Sequence, residues 1–370
     1  MADGTTSLAF PISAGDQLAE ISWSTIEHVE MQNETFFMEN GLMAKDVGRE
    51  DVHKRRPGVP IILKDELKKG PGDEVRIRLR RQLTNTNRTS TAFGITSMLG
   101  AEETLVFMDV SIWLSLLKNS VGHNSPDLNY HRTSIDMEDD SELALKEWMV
   151  ENYENSMIDA FYDKYPYQTI QDISGATSTP HPREFFASGA ENAGAMGPSN
   201  ILTAAEVLRM RSYFINRKLN PVRAMGKKAG CVLADTFVLN DLRRDDDYKN
   251  AQGRGNVRGS GNPLIDGSIG DYNDLYFYEY ERMRRKTSGP NAANIGQILL
   301  LGADALAVVM GSEPRIVART ETNYGDRWGR AIRQVFGATR CDFQTQDNNT
   351  TLNQSSAQWD CWEERDEFAA

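Results

Sequence analysis

Apolar and polar positions alternate most cleanly over Asp73 to Thr84, where Val75, Ile77 and Leu79 interleave with Arg76, Arg78 and Arg80. A period of two predicts a strand with one apolar and one cationic face. Residues 105–112, Leu-Val-Phe-Met-Asp-Val-Ser-Ile, predict a second strand. Between the two lies Asn85 to Glu103, a polar stretch rich in Thr, Asn, Ser and Gly that is too long for a hairpin turn. The period then changes. Leu145, Met149, Tyr153, Met157, Phe161 and Tyr165 recur at every fourth position, and Trp148, Ile158 and Ala160 widen the stripe. This predicts one long helix over Ser141 to Tyr165 whose stripe packs into a core. Glu138, Asp139, Asp140 and Glu142 suit the positive end of its dipole, and Pro166 stops it.

Thr169 to Ser199 is rich in Ser, Thr, Gly, Ala and Pro and reads as a loop. The capping box Thr203-x-x-Glu206 opens a helix that runs to about Leu219, before Pro221. Cys231 to Ala234 reads as a buried strand, Thr236 to Ala251 as the helix after it, and Leu275 to Glu279 as another strand. The apolar run Ile298 to Gly311 precedes an expected turn at Ser312-Glu313-Pro314 and a short strand, Ile316 to Ala318.

Two ordered sets of residues carry a resemblance. The first is Leu301-Gly302-Ala303-x-Ala305-Leu306, the turn Tyr324-Gly325, then Gly329, Gly337 and the closing strand Cys341-Asp342-Phe343. The second is the Cys231 strand and its helix, then Asn262-Pro263-Leu264, Gly267-x-x-Gly270-x-Tyr272 and Tyr278-Glu279. In this order they resemble the major capsid proteins of tailed bacteriophages, in the family typified by coliphage N-four. The resemblance runs from Pro60 to Phe343, departs at Thr169 to Ser199 and after Phe343, and leaves the first 55 residues unaligned.

The resemblance implies an α+β fold of the Hong Kong 97 type. Its parts would be an N-terminal arm (1–58), peripheral-domain strands with an extended loop (59–118, loop 85–103), and a spine helix with its following loop (119–200). An axial domain (201–311), a return to the peripheral domain (312–345) and an acidic tail (346–370) would complete it. It also implies a protein made in the host bacterial cytoplasm that assembles with itself into hexamers and pentamers of an icosahedral head around double-stranded DNA. Portal, scaffolding and decoration proteins are the implied partners, with weak non-specific contact to the packaged DNA. By the same resemblance the loop 85–103 lies over a neighbouring subunit; by its residues alone it also reads as a mobile surface hairpin.

Composition narrows the field. A chain of 370 residues supports one large or two modest domains. Hydrophobic content of 39% and a mean hydropathy of −0.52 lie at the polar end for a globular protein, which suits exposed or partner-covered arms. No apolar run approaches the roughly 18 residues that cross a bilayer, and Met1-Ala2-Asp3-Gly4 lacks a secretory signature, so the chain reads as cytosolic at synthesis with no membrane partner. Cys231, Cys341 and Cys361 are far apart without a C-x-x-C pair, and read as buried or incidental thiols. A net charge of −12 argues against a dedicated nucleic-acid binder, yet suits a wall that encloses a polyanion without gripping it.

No motif for chemistry emerges. Gly253-x-Gly255 has its third glycine one residue late for a dinucleotide fingerprint and follows a polar helix. His28, His53, His123, His131 and His181 fall in segments read as loops or arms, without a metal-binding spacing. Asp245-Asp246-Asp247 reads as a solvated face. No catalytic, cofactor-binding or metal-binding residue is expected, which favours a structural protein. A cytosolic αβ enzyme with an unrecognised site and an accessory decoration protein remain the alternatives. Candidate subunit contacts are Arg76, Arg78 and Arg80, Arg88 in the loop, and Glu363, Glu364, Asp366 and Glu367 in the tail. The arginine face is neutralised by solvent ions, by the acidic tail of an adjacent subunit, or by the genome. The basic run His53 to Arg56 leaves a solvated loop, contact with an acidic neighbour, or contact with DNA open.

Overall fold

A computed structural model describes residues 36–45, 58–64, 72, 74–80, 104–124, 137–163, 181–217, 219–224, 227–255, 270–286, 294–318, 327–344, 351–353 and 355–363. A short helix, α1 (Phe36–Glu39), precedes β1 (Met43–Lys45), β2 (Ile61–Lys64), β3 (Glu74–Arg80), β4 (Phe107–Trp113) and β5 (Ser115–Asn124). The long helix α2 is Met137–Tyr162. Then come β6 (Glu184–Phe186), α3 (Ala204–Asn216), β7 (Val222–Ala224), β8 (Lys227–Ala234), α4 (Thr236–Arg244) and α5 (Asp246–Gly255). Strands complete the described chain: β9 (Asp271–Tyr272), β10 (Leu275–Glu279), β11 (Ile295–Leu301), β12 (Leu306–Ala318), β13 (Arg327–Arg340), β14 (Asp342–Gln344), β15 (Thr351–Asn353) and β16 (Ser356–Trp362).

The strands form three sheets. One has seven strands, ordered β6-β16-β11-β8-β10-β9 with β7 paired to β8; one has five, β1-β2-β12-β13-β5; one has four, β15-β14-β4-β3. Both faces of the seven-stranded sheet are covered, so its central strands read as continuous apolar runs. Val232, Leu275, Ile298, Leu300 and Trp359 pack on one face with Val207, Met210 and Phe214 of α3 and Val238, Leu239 and Leu242 of α4. Cys231, Leu233, Leu299 and Leu301 pack on the other with Met157, Ile158 and Phe161 of α2.

Helix α2 has 26 residues and a length of about 39 Å. Its first half lays Leu145 and Met149 on Ile332 of the five-stranded sheet, and its second half covers the seven-stranded sheet. One helix thus spans two sheets, which is why its stripe runs unbroken.

The chain crosses from one sheet to the other at Gly302 to Ala305. Here the turn amides all find acceptors: Gly302 N–H donates to Ser355 O (2.6 Å), Ala303 to Asn220 O (2.8 Å), Asp304 to Val59 O (2.9 Å) and Ala305 to Pro60 O (2.8 Å). Asp304 adopts a φ of 61°, which a short polar side chain tolerates. The family-like Leu-Gly-Ala-x-Ala-Leu sequence is therefore a crossover stitched to three other segments.

Several expectations change. The apolar run Ile298 to Gly311 is no single element: it is the end of β11 and the start of β12, parted by the crossover at 302–305. Ser312-Glu313-Pro314 is no turn: β12 runs through it with irregular pairing between Met310 and Arg315, and Ser312 Oγ accepts from Val335 N–H (3.0 Å) within the ladder. Pro and Ser signalled a break that a bulge accommodates. The helix read from Thr236 to Ala251 is two helices, parted at Asp245. The presumed loop before Ser199 contains β6, paired in parallel with β16. The capping box is half made, since Glu206 N–H reaches Thr203 Oγ1 (3.4 Å) while the Glu206 carboxylate accepts from Ser188 N–H and Trp359 Nε1–H. The loop 85–103 and the Tyr324-Gly325 turn lie outside the described residues.

A Cβ at Gly302 would sit 2.3 Å from the Asn220 carbonyl oxygen, a backbone atom that cannot swing aside. Gly302→Ala is expected to cost about 1–3 kcal/mol and lower the thermal midpoint. An unchanged midpoint in differential scanning calorimetry would show that the crossover is loosely packed.

Candidate assembly surfaces and the buried charge clasp

Strand β3 has the two faces its sequence predicts: Val75 and Ile77 are buried, while Arg76, Arg78 and Arg80 are exposed. Among the described residues it pairs only with β4 and ends the four-stranded sheet. Arg76 is engaged locally, 2.7 Å from Glu74 and 3.9 Å from Asp109. Arg78 and Arg80 form no ion pair with a described residue. Arg80 lies opposite Phe107, and Leu105 (53% exposed), Val106 and Phe107 (56%) form a continuous apolar tip on β4. Arg88, Glu364, Asp366 and Glu367 lie outside the described residues.

Glu363 differs most from the tail reading. Residues 356–362, expected in an acidic tail, form the interior strand β16, buried throughout between β11 and β6. Glu363 is fully buried beside β11 and pairs with Arg285 of its own chain at 2.6 Å. Gly296 makes this fit possible, because a Cβ there would meet Glu363 Oε2 at 2.7 Å. Acidic composition suggested a solvated tail; the alternate residues Ala357, Trp359 and Cys361 supply the apolar face that carries this strand into the core.

The basic triplet Arg284-Arg285-Lys286 acts as a clasp. Arg284 pairs with Asp163 and lies over the Tyr162 ring (5.7 Å to its centroid), at the end of α2. Arg285 holds Glu363 at the end of β16. Lys286 holds Asp360 on β16 (3.0 Å) and Glu184 on β6. Gln358 Nε2 also donates to Asp360 Oδ1 (2.8 Å). Burial pushes the Asp360 carboxyl up to about 6 against the pull of Gln358 and Lys286. It pushes Glu363 up to about 7, with Arg285 opposing and Asp235 reinforcing the rise. Sequence reasoning passed over this triplet; its signal was three consecutive bases matched by carboxylates in an otherwise apolar strand.

Arg340 is the second buried cation. Its Nε and Nη2 donate to Asp342 Oδ2 (2.8 and 2.7 Å), and Nη1 donates to the carbonyls of Phe161 (2.9 Å) and Tyr162 (2.8 Å). At the other end of this region, Glu154 of α2 accepts from Phe36 N–H and from Tyr280 OH, holding α1 against the helix. Burial raises the Glu154 pKa, opposed by the Phe36 amide.

Asp245 and His181 also have structural partners. Asp245 is no solvated residue: it accepts from Ala204 N–H (2.7 Å) and Asp247 N–H (2.9 Å), joining α3 to α5. His123 lies in β5 rather than in a loop. His181 is buried 3.0 Å from Ser356 Oγ; burial first, then Arg340 and Arg183, hold its pKa well below the usual value. All three cysteines are free and buried. Among the described residues, no group of three or more His, Cys, Asp or Glu is placed to hold a metal ion, and no helix is long and apolar enough to cross a membrane.

The fold is the α+β, Hong Kong 97-type fold of phage heads. Residues 20–355 match the family described as phage capsid protein, and the chain belongs to that family. It resembles the cyanophage Pam1 capsid asymmetric unit (TM-score 0.72, 18% identity, 98% of this chain and 99% of that one). It also resembles the capsid of Ralstonia phage GP4 (TM-score 0.68, 17% identity, 96% and 99%). A third likeness is the acidic stable capsid of Helicobacter pylori bacteriophage KHP30 (TM-score 0.66, 13% identity, 91% and 94%). No curated protein matches the sequence.

Raised carboxyl pKa values make the native state hold protons that the unfolded chain releases. Their stabilisation is complete below the unfolded value and is lost as pH rises through about 6 for Asp360 and about 7 for Glu363. His181 acts in the opposite sense, losing stability as pH falls through its unfolded value. Glu363→Gln isolates the first contribution: its midpoint relative to wild type is expected to rise between about pH 5.5 and pH 8. A pH-independent difference would refute the role of Glu363. Arg340→Gln, which leaves Asp342 unpaired in the core, is expected to cost about 3–5 kcal/mol in denaturant unfolding.

Proposed function

We propose that this chain is the major capsid protein of a tailed phage, closing with its own copies into the hexamers and pentamers of an icosahedral head around double-stranded DNA. The observation that carries the reading is the shared fold over 98% of the chain with the Pam1 capsid subunit, together with the family match across residues 20–355. On this reading the chain is no enzyme, and it is made in the bacterial cytoplasm before entering the virion. The seven-stranded sheet serves as the axial domain, and α2 with the other two sheets as the peripheral domain. Residues 1–58 serve as the arm and 85–103 as the extended loop over a neighbour. Portal, scaffolding and decoration proteins are further partners, and packaged DNA meets the wall by weak contacts.

Assembly from such subunits is collective. An exposed ion pair contributes about 0–1 kcal/mol, so a shell depends on repeating many small contacts. Arg78, Arg80 and loop residue Arg88 are offered to an acidic surface of the next subunit, with Glu364, Asp366 and Glu367 as candidates; Arg76 contributes less because Glu74 already partners it.

The purified protein is expected to form large closed particles, capsomers or sheets by electron microscopy and light scattering. A monodisperse monomer or dimer at every salt, pH and crowding condition, with or without scaffold, would remove the capsid reading. Arg78→Gln/Arg80→Gln is expected to reduce particle yield and salt resistance more than Arg76→Gln does. Equal yields for all variants would leave the arginines as a solvated edge.

A further inference from the structure

One buried histidine holds the outer edge of the seven-stranded sheet through a bond that only its neutral form can make. His181 stands just before β6 and is 7% exposed. Its Nδ1 accepts from the Arg183 N–H (3.1 Å), and its Nε2 lies 3.0 Å from Ser356 Oγ on β16. A backbone amide can only donate, so Nδ1 carries no proton and the ring hydrogen sits on Nε2, donating to the serine. A second proton would set N–H against N–H at Arg183. Flipping the ring gives no escape, because both nitrogens of an imidazolium are donors. The charged groups acting on the ring add to the conflict: Arg340 on β13 and Arg183 on its own segment are both cations. The carboxylates of the surrounding elements are engaged elsewhere, Asp342 by Arg340, and Glu184 and Asp360 by Lys286. Burial and the two cations keep the ring neutral.

The backbone that His181 holds is also the first rung of the sheet edge. Arg183 C=O accepts from Gln358 N–H (2.9 Å), and the parallel pairs Glu184–Gln358, Phe185–Trp359 and Phe186–Asp360 follow. Strand β6 has three residues and, among the described residues, pairs with β16 alone. Beyond it the chain is pinned independently: Ser188 N–H donates to Glu206, Asn200 Nδ2 donates to Ala187 O (3.0 Å), and Asn200 O accepts from Trp362 N–H (2.8 Å). We propose that residues 181–186 are an acid-released latch: protonation of His181 breaks its bond to the Arg183 amide and frees β6 from β16, while residues 187–200 stay in place. Release withdraws Phe185 from Trp359 and Tyr213 (ring centroids 4.6 Å from each) and opens one edge of β16. An edge segment opens at a smaller free-energy cost than the whole fold. Asp360, with its raised carboxyl, titrates in the opposite sense and keeps its stabilisation in acid, so β16 itself stays in the sheet.

Hydrogen exchange of the full chain, read by mass spectrometry and corrected for the intrinsic pH dependence of exchange, tests the latch. The closed form is neutral at His181 and the open form protonated, so opening gains about tenfold per pH unit below the ordinary histidine value of 6.5. Between about pH 7.5 and pH 5, protection of residues 181–186 and of the Gln358 amide is expected to fall about thirtyfold, with α2 and β8 unchanged. His181→Asn puts an amide oxygen where Nδ1 accepts and cannot titrate, so its protection should be the same at both pH values. Ser356→Ala removes the other bond and keeps the titrating one, so the thirtyfold change should persist. Equal protection of the wild type at both pH values, or a loss spread evenly over α2 and β8, would overturn the latch. So would an acid response retained in His181→Asn. If His181→Asn does not fold, the Ser356→Ala series still decides: loss of the response there would place it on the serine bond and overturn the amide conflict. Unassembled subunits suffice, so the result stands apart from the capsid reading.

Discussion

The rest of the structure depends on the buried guanidinium of Arg340. A helix ends with carbonyls that have no partner inside the helix, and α2 ends among buried residues. Water does not reach there: Phe161 and Tyr162 are buried and Arg340 itself is wholly enclosed. One planar group supplies donors to both carbonyls and to Asp342, so the helix end and the step from β13 to β14 are held by the same side chain. A lysine has neither the fork geometry nor the number of donors for this. Tyr162 OH adds a bond to Gln297 O (2.7 Å), which ties the same helix turn to β11.

From that junction the C-terminal part of the chain visits each sheet in turn. It leaves the five-stranded sheet at Arg340, joins the four-stranded sheet through β14 and β15, and enters the seven-stranded sheet as β16. The Arg284-Arg285-Lys286 clasp then secures β16 from its flank. Buried ion pairs gain little net stability over apolar packing, but they penalise any misplacement of the elements they join. For a subunit that must repeat the same geometry many times, fixed relative placement of sheets matters more than total stability.

Charge is divided accordingly. Several carboxylates of this acidic chain are spent inside, on Arg340, Arg285 and Lys286, while cations such as Arg78, Arg80, Arg315, Arg333 and Lys118 remain at the surface. A net charge of −12 therefore describes the surface poorly: basic edges and faces stand on an acidic body, an arrangement that favours contact between unlike surfaces of identical copies.

Local periodicity by itself determined much of this protein. The two-faced strand at Val75 to Arg80 and the long helix with its fourfold stripe follow from spacing, because a strand or helix half-buried on one face writes its period into the chain. The order of glycines and apolar runs carried the family resemblance, yet the reason for Gly302 became visible only when Asn220 and Ser355 were found against it. The tertiary structure alone decided the fate of residues 356–363, the route of β12 through Pro314, and the partners of Arg340 and of the basic triplet. Each of these depends on residues distant in sequence, and composition cannot reveal whether a carboxylate meets water or an arginine. An acidic strand and an acidic tail look alike until the sheet that receives the strand is in place.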